Sequence, residues 1–245
     1  MTDSSLAAPL VLVAGGSSAA GIAVARELLS TGMRVLTVGS DAGRITAAAE
    51  SAGGAVPLVC DLADPEAVRE LAEKIHTDFG PLDGLIHLVG GWRGGTGITG
   101  QIDADWDFLH TLGMTTLRNT SREFYDDLAA SPVGRLAIVS STAVTAPTAD
   151  NANYASVKAA AESWVQSVAQ GFGSQAGSSS AAVVLVVKAL VDPAMRERSP
   201  ERRFPGFTDA AELGRSAAGL FARPASELNG ARLILDQLPK KQGEQ

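Results

Sequence analysis

The stretch Leu10-Val11-Leu12-Val13-Ala14-Gly15-Gly16-Ser17-Ser18-Ala19-Ala20-Gly21-Ile22-Ala23-Val24-Ala25-Arg26-Glu27-Leu28-Leu29 reads as strand, glycine-rich turn and helix. The apolar run is short enough for a buried strand, and the glycines permit a tight turn with close backbone approach. The helix that follows offers unpaired N–H groups and the positive end of its dipole, which together suit a pyrophosphate. A second apolar run, Arg34 to Val38, completes a unit of the length that a βαβ crossover requires.

Outward from this unit, further strand-like runs lie at 56–60, 84–89, 135–140, 182–187 and 231–235, with helical patterns between most of them. Such alternation predicts a single α/β domain of Rossmann type, with a doubly wound parallel sheet and helices on both faces. Ligands bind such sheets outside the carboxyl ends of the strands. The Gly15 turn, Asp61, Gly90, Ser141 and Lys188 are therefore expected along one edge. Gly171 to Ser180, rich in Gly and Ser, is expected to be a solvated connector at the opposite edge.

On the ligand edge, Ser141 follows the apolar run Leu136-Ala137-Ile138-Val139, Tyr154 comes thirteen residues later, and Lys158 four after that. Residues four apart share a helix face, which sets the Lys158 ammonium beside the Tyr154 phenol. A neighbouring cation favours phenolate and brings a group that ordinarily titrates near pH ~10 toward neutrality. Ser141 can hydrogen-bond the same substrate oxygen, so the three form an acid/base site for a carbonyl or alcohol.

These residues together resemble the short-chain dehydrogenase/reductase family over nearly the whole chain. The family's Gly-x-x-x-Gly-x-Gly turn is matched by Gly15, Ala19 and Gly21, its adenine-holding Asp by Asp61, and its Ser, Tyr and Lys by Ser141, Tyr154 and Lys158. Leu228 to Asp236 is similar to its closing Gly turn and final strand. The resemblance implies a seven-stranded sheet in the order 3-2-1-4-5-6-7, spanning residues 9–237, with flexible segments at 1–8 and 238–245 and a substrate lid at about 192–210. It assigns to a dinucleotide Gly15, Ser17, Ser18, Ala19, Gly21 and Ile22 around the turn, and Ser40 and Arg44 after the second strand. It adds Asp61, Leu62, Val89, Gly90 and Gly91, with Tyr154, Lys158, Lys188 and Leu190 toward the nicotinamide. Self-association as a homodimer or homotetramer through the long helices, 104–130 and 150–171, is also implied.

The chain departs from the family pattern at three places. His87-Leu88-Val89-Gly90 stands where the family has Asn-Asn-Ala-Gly, and Gly113 stands at the position of its catalytic Asn, with Asn119 too far along the helix to replace it. Lys188-Ala189 replaces a Pro-Gly, and Pro193 replaces a Thr near the nicotinamide amide. The loop Gly90-Gly91-Trp92-Arg93-Gly94-Gly95 is similar to one in dihydropteridine reductases, a partial likeness because those enzymes tend to lack the Ser that this chain keeps. Trp92 can either cap the core or stack on a substrate. Lys188 can contact cofactor or substrate, or reach solvent.

After the second strand, Val38-Gly39-Ser40-Asp41 holds neither a carboxylate at Gly39 nor an Arg at Ser40. Ser40 can donate to a 2′-phosphate and Arg44 can neutralise it, while Asp41 can repel it or hold a ribose hydroxyl; the balance favours NADP(H) over NAD(H). In the lid segment, the arginines at 196, 198, 202 and 203 can meet an acidic substrate or a cofactor phosphate, but with Glu197 and Glu201 interleaved a solvated, ion-paired face is the favoured expectation.

Composition narrows the function classes. A chain of 245 residues, 45% hydrophobic, can bury one large α/β core. The net charge of −7 argues against nucleic-acid binding. No run is long enough to span a bilayer, the N-terminus lacks the basic flank of a signal peptide, and the single cysteine, Cys60, excludes an internal disulfide, so a reducing cytoplasm is expected. His76, His87 and His110 have no metal-ligand spacing, and no metal is expected. The reading is an NAD(P)-dependent oxidoreductase acting on a small organic molecule. A redox-silent lyase, isomerase or dehydratase on the same scaffold, and a non-catalytic dinucleotide-binding scaffold, are the alternatives.

Overall fold

The computed structural model describes residues 8–235; apart from Ala8, the segments expected at 1–8 and 238–245, and the last two residues of the 9–237 domain, lie outside it. Among the described residues the strands are β1 Leu10–Ala14, β2 Arg34–Gly39, β3 Val56–Val59, β4 Gly84–His87, β5 Arg135–Ser141, β6 Ala181–Val187, β7 Leu190–Val191, β8 Thr208–Asp209 and β9 Arg232–Ile234. The α-helices are α1 Ala19–Ser30, α2 Ala42–Ser51, α3 Pro65–Asp78, α4 Asp103–His110, α5 Thr116–Glu123, α6 Tyr125–Ala130, α7 Ala152–Gly173, α8 Pro193–Arg198, α9 Ala210–Gly219 and α10 Ala225–Leu228.

Seven strands form one parallel sheet in the order β3-β2-β1-β4-β5-β6-β9, which is the expected order with β9 in the seventh place. Every residue of β1, β4 and β6 is buried, as sheet strands covered on both faces require. Alternate residues feed two cores. Leu10, Leu12 and Leu36 pack with Val68, Leu71, Leu117 and Val165 from α3, α5 and α7, whereas Val11 and Val13 pack with Val24, Leu28 and Leu213 from α1 and α9. Each such buried aliphatic side chain contributes roughly 1.5–3 kcal/mol. None of the helices among the described residues is long and apolar enough to cross a membrane.

The structure corrects two boundaries and adds one feature. Residues 104–130 do not form one helix: a π-helical turn, Thr111–Thr115, follows α4, and Phe124 separates α5 from α6 with φ −98° and ψ 10°. Phe124 is fully buried, and the break lets Tyr125 stack on Phe172 of α7 at 5.1 Å between centroids. The connector expected from Gly171 begins only at Ser174; Gly171 remains in α7 because its bare Cα is what lets the Tyr125 hydroxyl approach, a Cβ there falling 2.5 Å from it. The added feature is a second sheet in which β7 pairs parallel with β8, bracketing the segment that carries α8.

At the edge remote from the ligands, Arg135 is 2% exposed and is satisfied by carbonyls alone. It donates to Leu220 at 2.9 Å, Gly134 at 2.7 Å, Ser179 at 2.8 Å and Arg223 at 2.7 Å. The start of β5, the approach to β6 and the turn after α9 are thus tied to one guanidinium. Replacing it removes four charge-assisted hydrogen bonds that tie three segments together, so Arg135→Met lowers stability by about 3 kcal/mol in urea unfolding, while the ligand edge of the sheet keeps its structure.

Candidate active site

The glycine turn is set by two close approaches. Gly15 and Gly16 both donate their N–H groups to the Val38 carbonyl, at 3.0 and 3.1 Å, which docks the turn on β2. Gly15 has φ +83°, and a Cβ there would lie 3.0 Å from the backbone of Leu88 and Val89; a Cβ on Gly21 would lie 2.5 Å from the Gly15 carbonyl. Ser18 caps α1, accepting from the Gly21 N–H at 3.0 Å and donating to the Gly15 carbonyl at 2.9 Å. Ser17 is half-buried, Ser18 and Ala19 are exposed on the rim, and the first turn of α1 faces the same opening. This narrow cradle, with side chains excluded where backbone must pass, fits the pyrophosphate of a dinucleotide.

Beyond β3, Asp61 is exposed and accepts the Ala63 N–H at 2.9 Å. Asn119 holds this loop from α5, donating to the carbonyls of Leu62 and Ala63 at 3.1 Å each, a role that nothing in the sequence pattern announced. After β2, Asp41 is engaged as the cap of α2, accepting the Arg44 N–H at 2.8 Å. Ser40 and Arg44 are exposed, and the Arg44 guanidinium makes no ion pair among the described residues.

The cradle opens into a cavity of about 140 Å³ lined by Ala20, Leu88, Val89, Gly90, Gly91, Val139, Tyr154, Lys158 and Leu190. Two strands and one helix converge there: β4 delivers the residues after His87, β5 ends at Ser141, and α7 carries Tyr154 and Lys158 one turn apart. Ser141 is 4% exposed, and its hydroxyl accepts the Ala143 N–H at 3.1 Å while lowering the pKa of the Tyr154 phenol. Lys158 Nζ donates to the Val139 carbonyl at 2.8 Å and lies 6.0 Å from the centroid of the Tyr154 ring.

The electrostatics differ from the sequence expectation. Burial pushes the Tyr154 phenol above its ordinary value, with the Ser141 hydroxyl opposing, so Lys158 does not bring it toward neutrality here. The ammonium is held by the Val139 carbonyl, and desolvation of the phenol is the larger cause. Burial also lowers Lys158 to about 8, against the pull of Glu162. His87, beneath the cavity, is driven to about 3 by burial and by Lys158. Its imidazole is therefore neutral, with Nε2 3.0 Å from the Thr116 hydroxyl, which in turn donates to the Leu112 carbonyl at 2.7 Å. In the π-helical turn, a Cβ on Gly113 would lie 2.8 Å from Cγ1 of Val157, so Val157 fills the room that an Asn would need.

Around the rim, Trp92 is 66% exposed, which removes the core-capping alternative. Its loop is fixed by Gln101, whose amide donates to the carbonyls of Gly97, Ala149 and Asp150 and accepts the Asn153 N–H, beside Tyr154. Lys188 is exposed and does not line the cavity; it donates to the Pro205 carbonyl at 3.3 Å, whereas Leu190 does line it. Pro193 is the first residue of α8, capped by Asp192. Among the described residues, the arginines of the 192–210 segment form no ion pair with Glu197 or Glu201. Arg196 pairs with Asp209 at 3.1 Å, and Arg196 and Arg202 pack over the Phe204 ring at 5.6 and 5.0 Å, aromatic contact replacing the expected charge ladder.

Residues 9–203 match the family model described as short chain dehydrogenase, and the chain belongs to that family. It is 25% identical over 228 residues to the 3-oxoacyl-[acyl-carrier-protein] reductase of Salmonella typhimurium, covering 92% of this chain and 86% of that one. It is 30% identical over 156 residues to the 2,3-dihydro-2,3-dihydroxybenzoate dehydrogenase of Bacillus subtilis, covering 62% of this chain and 59% of that one. The chain thus spans little more than half the length of several curated relatives that it matches. Among solved structures, the NADPH-bound short chain oxidoreductase of Pseudomonas aeruginosa, described as containing an atypical catalytic center, has a TM-score of 0.82 at 20% identity, covering 95% of this chain and 97% of that one. NAD+-bound xylitol dehydrogenase has a TM-score of 0.80 at 18% identity, covering 92% and 96%. Both share the fold.

A buried ammonium with a depressed pKa is a cost to the unliganded protein. Because the folded value lies below the unfolded one, the penalty is full at pH below about 8 and fades as pH rises toward the ordinary lysine value. Lys158→Met is accordingly more stable than wild type at pH 7, by about 1–2 kcal/mol once the lost Val139 hydrogen bond is counted, and the advantage shrinks by pH ~10.5. Paired thermal melts across that range check this.

Proposed function

We propose that this short chain dehydrogenase reduces a ketone or aldehyde carbonyl on a small organic substrate, or oxidises the corresponding alcohol, with Tyr154 as the acid/base. The observation that carries the reading is the shared cavity, whose lining joins Ala20, in the first turn of the helix that follows the glycine cradle, to Tyr154 and Lys158. A bound reduced nicotinamide supplies the hydride.

The residues of the chain then divide the remaining work. Gly15, Ser17, Ser18, Ala19, Gly21 and Ile22 hold the pyrophosphate, and Asp61 and Leu62 the adenine. Ser40 and the unpaired Arg44 meet a ribose phosphate, which favours NADP(H) over NAD(H). Val89, Gly90, Gly91, Lys158 and Leu190 surround the nicotinamide half. Lys188 joins them only if the Pro205 contact opens. The burial that raises the Tyr154 pKa keeps its phenol protonated and able to give that proton to the substrate oxygen, which the Ser141 hydroxyl fixes in place. Lys158, by moving from the Val139 carbonyl, can stabilise the phenolate that results. The segment at about 192–210, bracketed by β7 and β8, serves as a lid that excludes water, and the chain works as a homodimer or homotetramer.

A redox-silent proton transfer by Tyr154 and Lys158 is the second reading. It is favoured by Val157 filling the space of the family Asn beside Gly113, and it leaves the absorbance of the reduced nicotinamide unchanged during turnover.

Tyr154→Phe keeps the ring and removes the proton. Its kcat with NADPH and an activated ketone drops by about 10²–10⁴-fold, while NADPH affinity stays within a few-fold of wild type. A Phe variant that turns over at the wild-type rate would falsify the assignment of Tyr154.

A further inference from the structure

We propose that Glu162, held between Arg232 and Ser140, is a positioning residue that locks the end of β5, and with it the Ser141 hydroxyl, onto the helix that carries Tyr154 and Lys158. The consequence for turnover rests on the reductase reading above; the network itself does not.

Tyr154, Lys158 and Glu162 succeed one another at four-residue steps and share one face of α7. The Glu162 side chain is 14% exposed and both carboxylate oxygens are used. Oε1 accepts the Ser140 hydroxyl at 2.5 Å, and Oε2 accepts Arg232 Nε at 3.0 Å. The fork of Arg232 then closes the circuit, its Nη2 donating to the Ser141 carbonyl at 3.3 Å. Arg232 lies on β9, which among the described residues pairs with β6 alone, so its side chain reaches past a whole strand to hold the end of β5. Three elements distant in sequence meet at one carboxylate.

A sheet of this kind has no packing need for such a pair. Taking a carboxylate and a guanidinium out of water costs several kcal/mol, roughly what their attraction returns, and two apolar side chains would serve stability as well. What the pair adds is geometry. Its two contacts on β5 fall on the Ser140 hydroxyl and the Ser141 carbonyl, at the last turn of chain before the cavity. The pair also adds charge one helical turn from the Lys158 ammonium, which Glu162 helps to keep protonated. The other groups facing that ammonium are neutral His87 from β4, the Val139 carbonyl from β5 and the Tyr154 phenol from α7, with Arg232 beyond the carboxylate.

The test uses the full-length protein in three variants: Glu162→Gln, Arg232→Lys and the double Glu162→Met/Arg232→Met, which keeps the fold without leaving a lone charge. The first measurement needs no substrate. Nitrogen-15 NMR of the Lys158 ammonium, assigned with a Lys158→Arg sample, shows a wild-type midpoint near 8; in Glu162→Gln it falls by about one pH unit, and in Arg232→Lys it stays in place. The second is NADPH-dependent ketone reduction, where all three variants lose roughly tenfold or more in kcat with NADPH affinity unchanged. An unmoved midpoint in folded Glu162→Gln protein overturns the hold on Lys158, and wild-type kcat in the folded variants overturns the hold on Ser141. If the wild-type protein reduces no carbonyl at all, the reductase reading falls, and the NMR midpoint alone decides for or against the network.

Discussion

At Gly15 the chain must pass a point where a single methyl group would touch the backbone of Leu88 and Val89. That contact joins the first strand to the crossing that leads into Gly90 and Gly91, and every other feature of the ligand edge is arranged around it. Because the turn also hangs from the Val38 carbonyl through two N–H groups, the N-terminus of α1 is aimed before any ligand arrives. Gly21 then lets the helix begin directly above the turn. A cradle built from backbone donors in this way has no side-chain entropy to lose on binding an anion.

Across the cavity the governing term is desolvation. It raises Tyr154 and lowers Lys158, moving both groups toward their neutral forms, while Ser141 and Glu162 act in the opposite sense on their respective partners. Burial thus brings the Lys158 ammonium closer to neutral pH and takes the Tyr154 phenol further from it. The cost is borne by the rest of the sheet, whose central strands are buried throughout, and by ties such as Arg135 at the far edge. Stability is concentrated at one end of the strands and chemistry at the other.

The doubly wound sheet, the glycine cradle and the grouping of Ser141, Tyr154 and Lys158 were legible in the sequence because each rests on a short-range pattern: an apolar run, a glycine where φ is positive, a four-residue helical step; the strand order came from the family resemblance. The features that escaped were those set by contacts between distant segments. The break of the 104–130 helix follows from Phe124 and Tyr125 packing on α7, and no periodicity within the segment carries that information. Asn119 reads as a helix residue until α5 is placed beside the loop after β3. Glu162 and Arg232 look like surface charges until β9 is seen to lie within reach of α7. The direction of the Tyr154 shift was misread for the same reason: spacing places a cation nearby, but burial and the Val139 carbonyl decide where that cation points.

On the reading proposed, the Gly15 to Gly21 cradle and the Tyr154 cavity form one dinucleotide site. Isothermal titration of NADPH, and separately NADH, into the wild-type protein at pH 7 and moderate salt tests it most directly. The expected result is saturable binding of one dinucleotide per chain with micromolar affinity, on the order of −8 kcal/mol, tighter for NADPH than for NADH. Absence of heat for both, in protein shown to be folded by circular dichroism, would contradict it.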